Sequence, residues 1–312
     1  MSDDLVQLLM QLGLPELRKL AQQRQITIPQ TWTKALIVEL LSLNVSSQTI
    51  QRLQKRPVTP VHVTKEQSAI ILRDLVKRFD EVTAVAGLNL DIREGELFSL
   101  LGPNGAGKTT TINILNGIIA PTAGTVQVGG YDVHTQLSEI KGLMGVCPQQ
   151  AAVFEYLTGR ENIELFGHLH ALPKTMIQER MEHLLTVLEL TEASDRRAKG
   201  YSGGMLRKLN LIIALISDPQ IAFLDEPTVG MDPRARRATW DFITSLKTQK
   251  KTIILTTHYI EEAETLSDRV GIIDYGKLIA LGAPHELMDA YNAANLEEVF
   301  LQLTGRRILE GV

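Results

Sequence analysis

Residues Ser99–Leu115, SLLGPNGAGKTTTINIL, constrain the chain more than any other stretch, because an apolar run, a glycine-punctuated turn and a helical segment follow one another without a gap. Leu97, Phe98, Leu100 and Leu101 read as a short buried strand. Gly102, Gly105 and Gly107 then turn the chain, and Ile112, Leu115 and Ile118 carry helical spacing beyond Lys108. A strand that feeds such a loop into a helix aims successive backbone N–H groups at an anion, and the helix N-terminus adds roughly half a positive charge. The pattern G-x-x-x-x-G-K-S/T is met from Gly102 to Thr109, through Pro103, Asn104, Gly105, Ala106, Gly107 and Lys108, with Thr110 next in line. Residues of these types suit a nucleotide's phosphates: Lys108 can reach the terminal phosphates and Thr109 can ligate Mg²⁺.

The same alternation continues along the chain. AIILRDL, LNLDI, LFSLL, TVQVGG, GLMGVC, QIAFLDE, KTIILTTH and RVGIID read as strands from Ile70 onward, most of them separated by helical patterns. Such a sequence folds as an α/β domain with a largely parallel, helix-covered sheet. Between residues 160 and 217 the strand signal nearly disappears, and ENIELFGHLHAL, TMIQERMEHLLTVLEL and GMLRKLNLIIALI read as amphipathic helices inserted between sheet strands. A chain of 312 residues accommodates two domains, and 44% hydrophobic with 22% charged residues is a globular composition. No apolar run approaches the roughly 18 residues of a membrane helix. Asp3 and Asp4 stand where a secretory leader carries basic residues, so the chain is expected in the cytoplasm. Cys147 is the single cysteine, which excludes an internal disulfide and suggests packing.

Two further segments narrow the chemistry. Ile221-Ala222-Phe223-Leu224-Asp225-Glu226 is an apolar strand ending in adjacent carboxylates, which places Asp225 to hold Mg²⁺ and leaves Glu226 to polarise a water. Tyr201-Ser202-Gly203-Gly204-Met205 opens a helix with a serine and two glycines, a second phosphate-sized cradle in one chain. GPNGAGKTT, YSGGM, FLDEPT and TTH, in that order, resemble the nucleotide-binding subunits of ATP-binding cassette (ABC) transporters over about residues 68–305. The resemblance implies a P-loop NTPase cassette with a mostly parallel core sheet, an antiparallel β part and a helical subdomain.

What the resemblance implies for the site is specific. Ser202, Gly203 and Gly204 would contact the γ-phosphate of ATP held by an opposite subunit, Glu226 would be the general base, and Lys108 would bind the terminal phosphates. Gln149 matches the loop residue that senses Mg²⁺ and the attacking water, and His258 the switch histidine on the γ-phosphate. Asp232 fits the loop that communicates across the dimer, and it also reads as the N-cap of the helix after Pro233. Phe79 matches the aromatic that stacks on adenine, with a core or turn aromatic as the other reading. The implied ligands are ATP and Mg²⁺, the latter on Thr109, Gln149 and Asp225. The implied partners are separate transmembrane permease subunits and a second cassette, identical or paired, with the chain peripheral on the inner face of the cell membrane. Met205 and Tyr201 depart from the commonest family pattern in the manner of one exporter branch.

The ends of the chain read separately. Residues 1–60 hold seven Lys or Arg against four Asp or Glu, while the rest is net acidic. LPELRKLAQQRQITIPQTWTKALIVELL resembles helix-extension-helix modules of the SAP or Rho-N type. It reads either as a docking domain or as a contact to nucleic acid, the latter giving an alternative function as a soluble cassette ATPase acting on nucleic acid through residues 1–65. The expected organisation is a small all-α domain at 1–56, a Pro-containing linker at 57–67, the ATPase domain at 68–305 with its helical subdomain at about 150–217, and a tail at 306–312. Leu296, Val299, Phe300 and Leu303 share one face of a C-terminal helix. That helix either closes the domain or matches the tail of export-type cassettes, and the second reading favours export over import.

Overall fold

The computed structural model describes residues 68–305. In chain order these are β1 (Ser68–Phe79), β2 (Val82–Arg93), β3 (Leu97–Leu101), α1 (Lys108–Leu115), β4 (Ala123–Val128), β5 (Tyr131–Asp132), α2 (Leu137–Ile140) and β6 (Met144–Cys147). There follow α3 (Gly159–Leu169), α4 (Lys174–Val187), α5 (Gly203–Leu215), β7 (Ile221–Asp225), α6 (Pro233–Thr248), β8 (Thr252–Thr257), α7 (Ile260–Leu266), β9 (Arg269–Asp274), β10 (Lys277–Gly282), α8 (Pro284–Tyr291) and α9 (Leu296–Thr304). The described residues form two compact units, one of 68–151 with 218–305 and one of 152–217. The helical module expected at 1–56, the linker at 57–67 and the tail at 306–312 lie outside the described residues.

In the larger unit, six strands run in the order β10-β9-β3-β8-β7-β6. β9, β3, β8, β7 and β6 are parallel, and β10 closes one edge antiparallel to β9. Every residue of β3, β7 and β8 is buried, as continuous apolar runs in a helix-covered parallel sheet must be. A second sheet, β2-β1-β4-β5, is antiparallel throughout. One core cluster joins Ile70, Leu72 and Leu88 of the antiparallel sheet to Phe98, Phe223 and Ile254 of the parallel one, with Ile112 and Leu115 of α1 among them. Cys147 is buried within this unit. The parallel, helix-covered sheet is the one the alternation of strands and helices implies, and the antiparallel sheet is the part that the resemblance adds.

Two local expectations are corrected. The strand signals AIILRDL and LNLDI extend into a hairpin of twelve residues a side, turning at Asp80 and Glu81. Its outer end is exposed, so charged residues such as Arg78 and Glu81 stay in water there, while half-buried Lys77 donates to Ala120 O at 2.9 Å, and the register shifts near Asp74, where φ is 48°. The helical spacing after Lys108 runs to Ile118, but α1 stops at Leu115: Gly117 adopts φ 68° and Ile118 is 65% exposed.

At the C-terminal end, Leu296, Val299 and Phe300 of α9 are buried in a cluster with Leu101, Val270, Ile272 and Leu287, and Leu303 packs at its edge. The predicted apolar face of this helix thus closes over one side of the sheet.

The smaller unit is helical. A capping box of Thr158 and Glu161 starts α3, and wholly buried Asn162 holds the loop before it through Phe154 N, Phe154 O and Thr158 O. Ile163, Leu165, Ile177 and Leu185 are buried, and the Tyr201 hydroxyl donates to Ala193 O at 2.7 Å just ahead of α5.

Candidate functional site

The carboxyl ends of four adjacent strands deliver the site. β3 leads into the loop 102–107 and α1, β7 ends at Asp225, β8 ends one residue before His258, and β6 ends two residues before Gln149. Loop geometry depends on glycine at two points. At Gly102 a Cβ would lie 2.3 Å from Ile273 O, and at Gly107, where φ is 105°, it would lie 2.4 Å from Ala84 O. Gly107 also stands at the N-cap of α1, which has no side-chain cap and no acidic residue in its first turn. A helix start of this kind receives an anion.

Lys108 is 4% exposed and curls back over the loop, donating from Nζ to Gly102 O at 2.7 Å and Pro103 O at 3.1 Å. Burial pulls its pKa below the ordinary lysine value, against the charges of Glu226 and Asp225. Thr109 Oγ1 lies 3.4 Å from Asp225 Oδ1. Burial pushes the Asp225 carboxyl up, opposed by hydrogen bonds from Thr256 and Thr109. A hydroxyl and a carboxylate this close are the hard oxygen donors that Mg²⁺ takes.

Glu226 is the centre of the arrangement. Its Oε1 is 3.1 Å from His258 Nδ1 and 3.6 Å from Lys108 Nζ, and its Oε2 accepts from Gln149 Nε2 at 2.9 Å. Its backbone stands in the left-handed region, φ 51°, held by a bond from Glu226 N to Thr256 O at 3.1 Å. Burial acts to raise this carboxyl, but His258, Lys108 and Gln149 together hold it below the ordinary glutamate value. A cavity of about 210 Å³ opens beside Glu226, Gln149 and Lys108, with Asn104, Gly105, Gly107, Thr109 and Thr110 also on its wall.

Lys108, Thr109, Asp225, Glu226, Gln149 and His258, distant in sequence, are thus one cluster. Phe79 ends β1, 45% exposed, with the Lys77 ammonium 4.7 Å from its ring centroid. Asp232 caps α6, accepting from Arg234 N at 3.0 Å and Ala235 N at 2.9 Å. In the helical unit, Ser202 is the N-cap of α5 and accepts from Met205 N at 3.3 Å, with Gly203 and Gly204 in the exposed-to-half-buried first turn.

Sequence reasoning passed over Thr256, whose hydroxyl donates to Asp225 and accepts from Glu226 N at 3.2 Å. The signal available was the polar pair Thr256-Thr257 that ends β8 after Ile253, Ile254 and Leu255.

Residues 85–229 match the family model for the ABC transporter. The daunorubicin resistance ATP-binding protein DrrA3 of Streptomyces coeruleorubidus is 41% identical over 220 residues, 70% of this chain and 70% of that protein. The chain belongs to the ABC transporter family. The cassette is also 42% identical over 226 residues to the Nod factor export ATP-binding protein I of Ralstonia nicotianae, covering 72% of this chain and 70% of that one. Among solved structures it is similar to an ATP-binding subunit of an ABC transporter, with TM-score 0.71 and 26% identity over 76% of this chain and 100% of that one. It is similar as well to the cassette MJ0796, solved as a dimer in a post-hydrolysis state with ADP and Pi, with TM-score 0.64 and 25% identity over 69% and 98% of the two chains.

Proposed function

We propose that this cassette hydrolyses MgATP and transmits the energy to a separate membrane permease that exports its cargo. The observation that carries the reading is the grip on Glu226: a buried carboxylate held by Gln149, His258 and Lys108 beside the phosphate-binding loop. Export is supported by the relatives, whose names describe drug resistance and Nod factor export. Among the described residues no helix is long and apolar enough to cross a membrane, which fits a permease supplied by other subunits.

In this reading the α1 N-terminus and the loop N–H groups receive the phosphates, and Lys108 turns its ammonium from the loop carbonyls toward the terminal phosphates. Thr109 and Asp225 would hold Mg²⁺, with Gln149 nearby. When bound, the ion offsets negative charge on the phosphate oxygens. Glu226 takes a proton from the attacking water, and His258 and Gln149 fix the carboxylate for that transfer. Exposed Phe79 supplies a face for the adenine ring.

Ser202, Gly203 and Gly204 at the start of α5 are a second anion cradle, assigned here to ATP held by a partner cassette, and Asp232 to the contact between the two. Residues 68–305 are the ATPase domain, with the helical subdomain at about 150–217 as its arm toward the permease, on the inner face of the membrane. Residues 1–56 are read on sequence alone as a separate small helical module. The test is phosphate release by the purified chain with MgATP, alone and with the membrane protein that co-purifies with it. ATP turnover that rises on adding that permease supports the proposal, and absence of turnover in both samples would overturn it.

A further inference from the structure

Behind the catalytic cluster lies a carboxylate that the scheme above does not use. Glu262, in the first turn of α7, is 0% exposed. Its Oε1 accepts from the Thr228 hydroxyl at 2.7 Å and from the Trp240 indole N–H at 2.9 Å, and the Thr257 hydroxyl and the Arg236 charge also act on the carboxyl. A leucine or methionine would fill this space without the cost of burying a carboxyl. The carboxyl must therefore answer to the donors it serves.

Those donors sit where they matter. Thr228, itself 0% exposed, is two residues beyond Glu226 and four before Asp232, and Trp240 is on α6, which Asp232 caps. Glu262 in turn is four residues beyond His258. α6 reaches the same segment a second time, the Arg236 guanidinium standing 4.6 Å from the centroid of the Tyr259 ring, which lies against His258. Glu226 and His258 meet at 3.1 Å in front, and the segments carrying them are joined behind by the single oxygen of Glu262.

We propose that Glu262 is a positioning residue for ATP hydrolysis: by accepting from Thr228 and Trp240 together, it fixes the segment carrying Glu226 and α6 against the segment carrying His258. The proposal rests on the ATPase reading above. A neutral acid or an amide serves as well as a carboxylate, because one acceptor oxygen is all the two donors need. Burial pushes the Glu262 carboxyl up, opposed by hydrogen bonds from Thr257, Thr228 and Trp240 and by the charge of Arg236.

The experiment compares Glu262→Ala, Glu262→Gln and Thr228→Val in the full chain, measuring kcat and KM for MgATP and nucleotide affinity by fluorescence titration. Glu262→Ala is expected to lose about tenfold or more in kcat with less than about a twofold change in KM, and Glu262→Gln to stay within about threefold of the parent. Thr228→Val, which removes one donor at constant volume, is expected to lose about three- to tenfold in kcat and serves alone if Glu262→Ala does not fold. Parent-like kcat in Thr228→Val or Glu262→Ala, or equal loss in the Gln and Ala variants, would overturn the positioning role. An unsubstituted chain that binds but does not turn over MgATP would instead sink the ATPase reading itself.

Discussion

Glu226 is held in a costly conformation. A non-glycine residue at φ 51° costs about 1–3 kcal/mol, and this one also gives up water around its carboxylate. Three side chains compensate, and all three bear on catalysis in the proposed scheme, so the strain is tied to the chemistry. Glu226→Gln keeps an oxygen and a volume that the surroundings accept, but it cannot take a proton. It is expected to bind ATP with near-parental affinity while kcat falls about 10²-fold or more, read by phosphate release and nucleotide titration. Turnover near the parent's would remove Glu226 from its role. The pH dependence follows from the direction of its shift. The folded-state pKa lies below the ordinary glutamate value, so the carboxylate's contribution is present above that ordinary value and is lost as pH falls through the lowered pKa. The acid limb that Glu226 imposes on kcat/KM therefore sits below the ordinary glutamate range and moves upward in Gln149→Ala, which deletes one donor to it. A limb that stays put in that variant would show that the Gln149 bond does not tune the base.

Elements place these residues, and two substitutions test how tightly. Gly107→Ala puts a methyl 2.4 Å from Ala84 O at φ 105°, so the loop must shift against β2. The expected cost is more than about 1 kcal/mol of stability, together with weakened nucleotide binding; denaturant unfolding and nucleotide titration on the same variant measure both. Asp232→Ala removes two bonds at the start of α6, a cap worth about 1 kcal/mol or roughly 2–4 °C in melting temperature. If melting is unchanged, the cap is not what Asp232 contributes. These elements were unequally visible beforehand. β3, β7 and β8 are buried at every position, so their apolar runs stood out, and the loop and carboxylate pair at their ends came with them. The outer ends of β1 and β2 did not, because an exposed hairpin tip tolerates Arg78 and Glu81, which blur the strand pattern. The convergence of Thr228, Trp240 and Glu262 joins residues 22 and 34 positions apart, and no local spacing announces such a meeting.

At the scale of the whole molecule, the two proposed anion cradles lie in different units, the loop 102–109 in one and Ser202–Gly204 in the other. In the proposed assembly each ATP is bound by the first cradle of one cassette and the second cradle of its partner. A two-fold symmetric pair then has two equivalent composite sites, each using residues from both chains. That symmetry makes a complementation experiment decisive. Lys108→Ala disables the first cradle, and Ser202→Glu sets a negative charge at the second, so neither variant alone can form a working site. In a mixed dimer one site receives both lesions and the other receives none. At equal mixing half of the dimers are mixed and each has one intact site of two, so activity is expected to return to about a quarter of the parental rate. ATPase activity measured against mixing ratio should peak at equal amounts. A mixture as inactive as its components would mean that the two cradles serve the same chain, and the trans arrangement would be wrong.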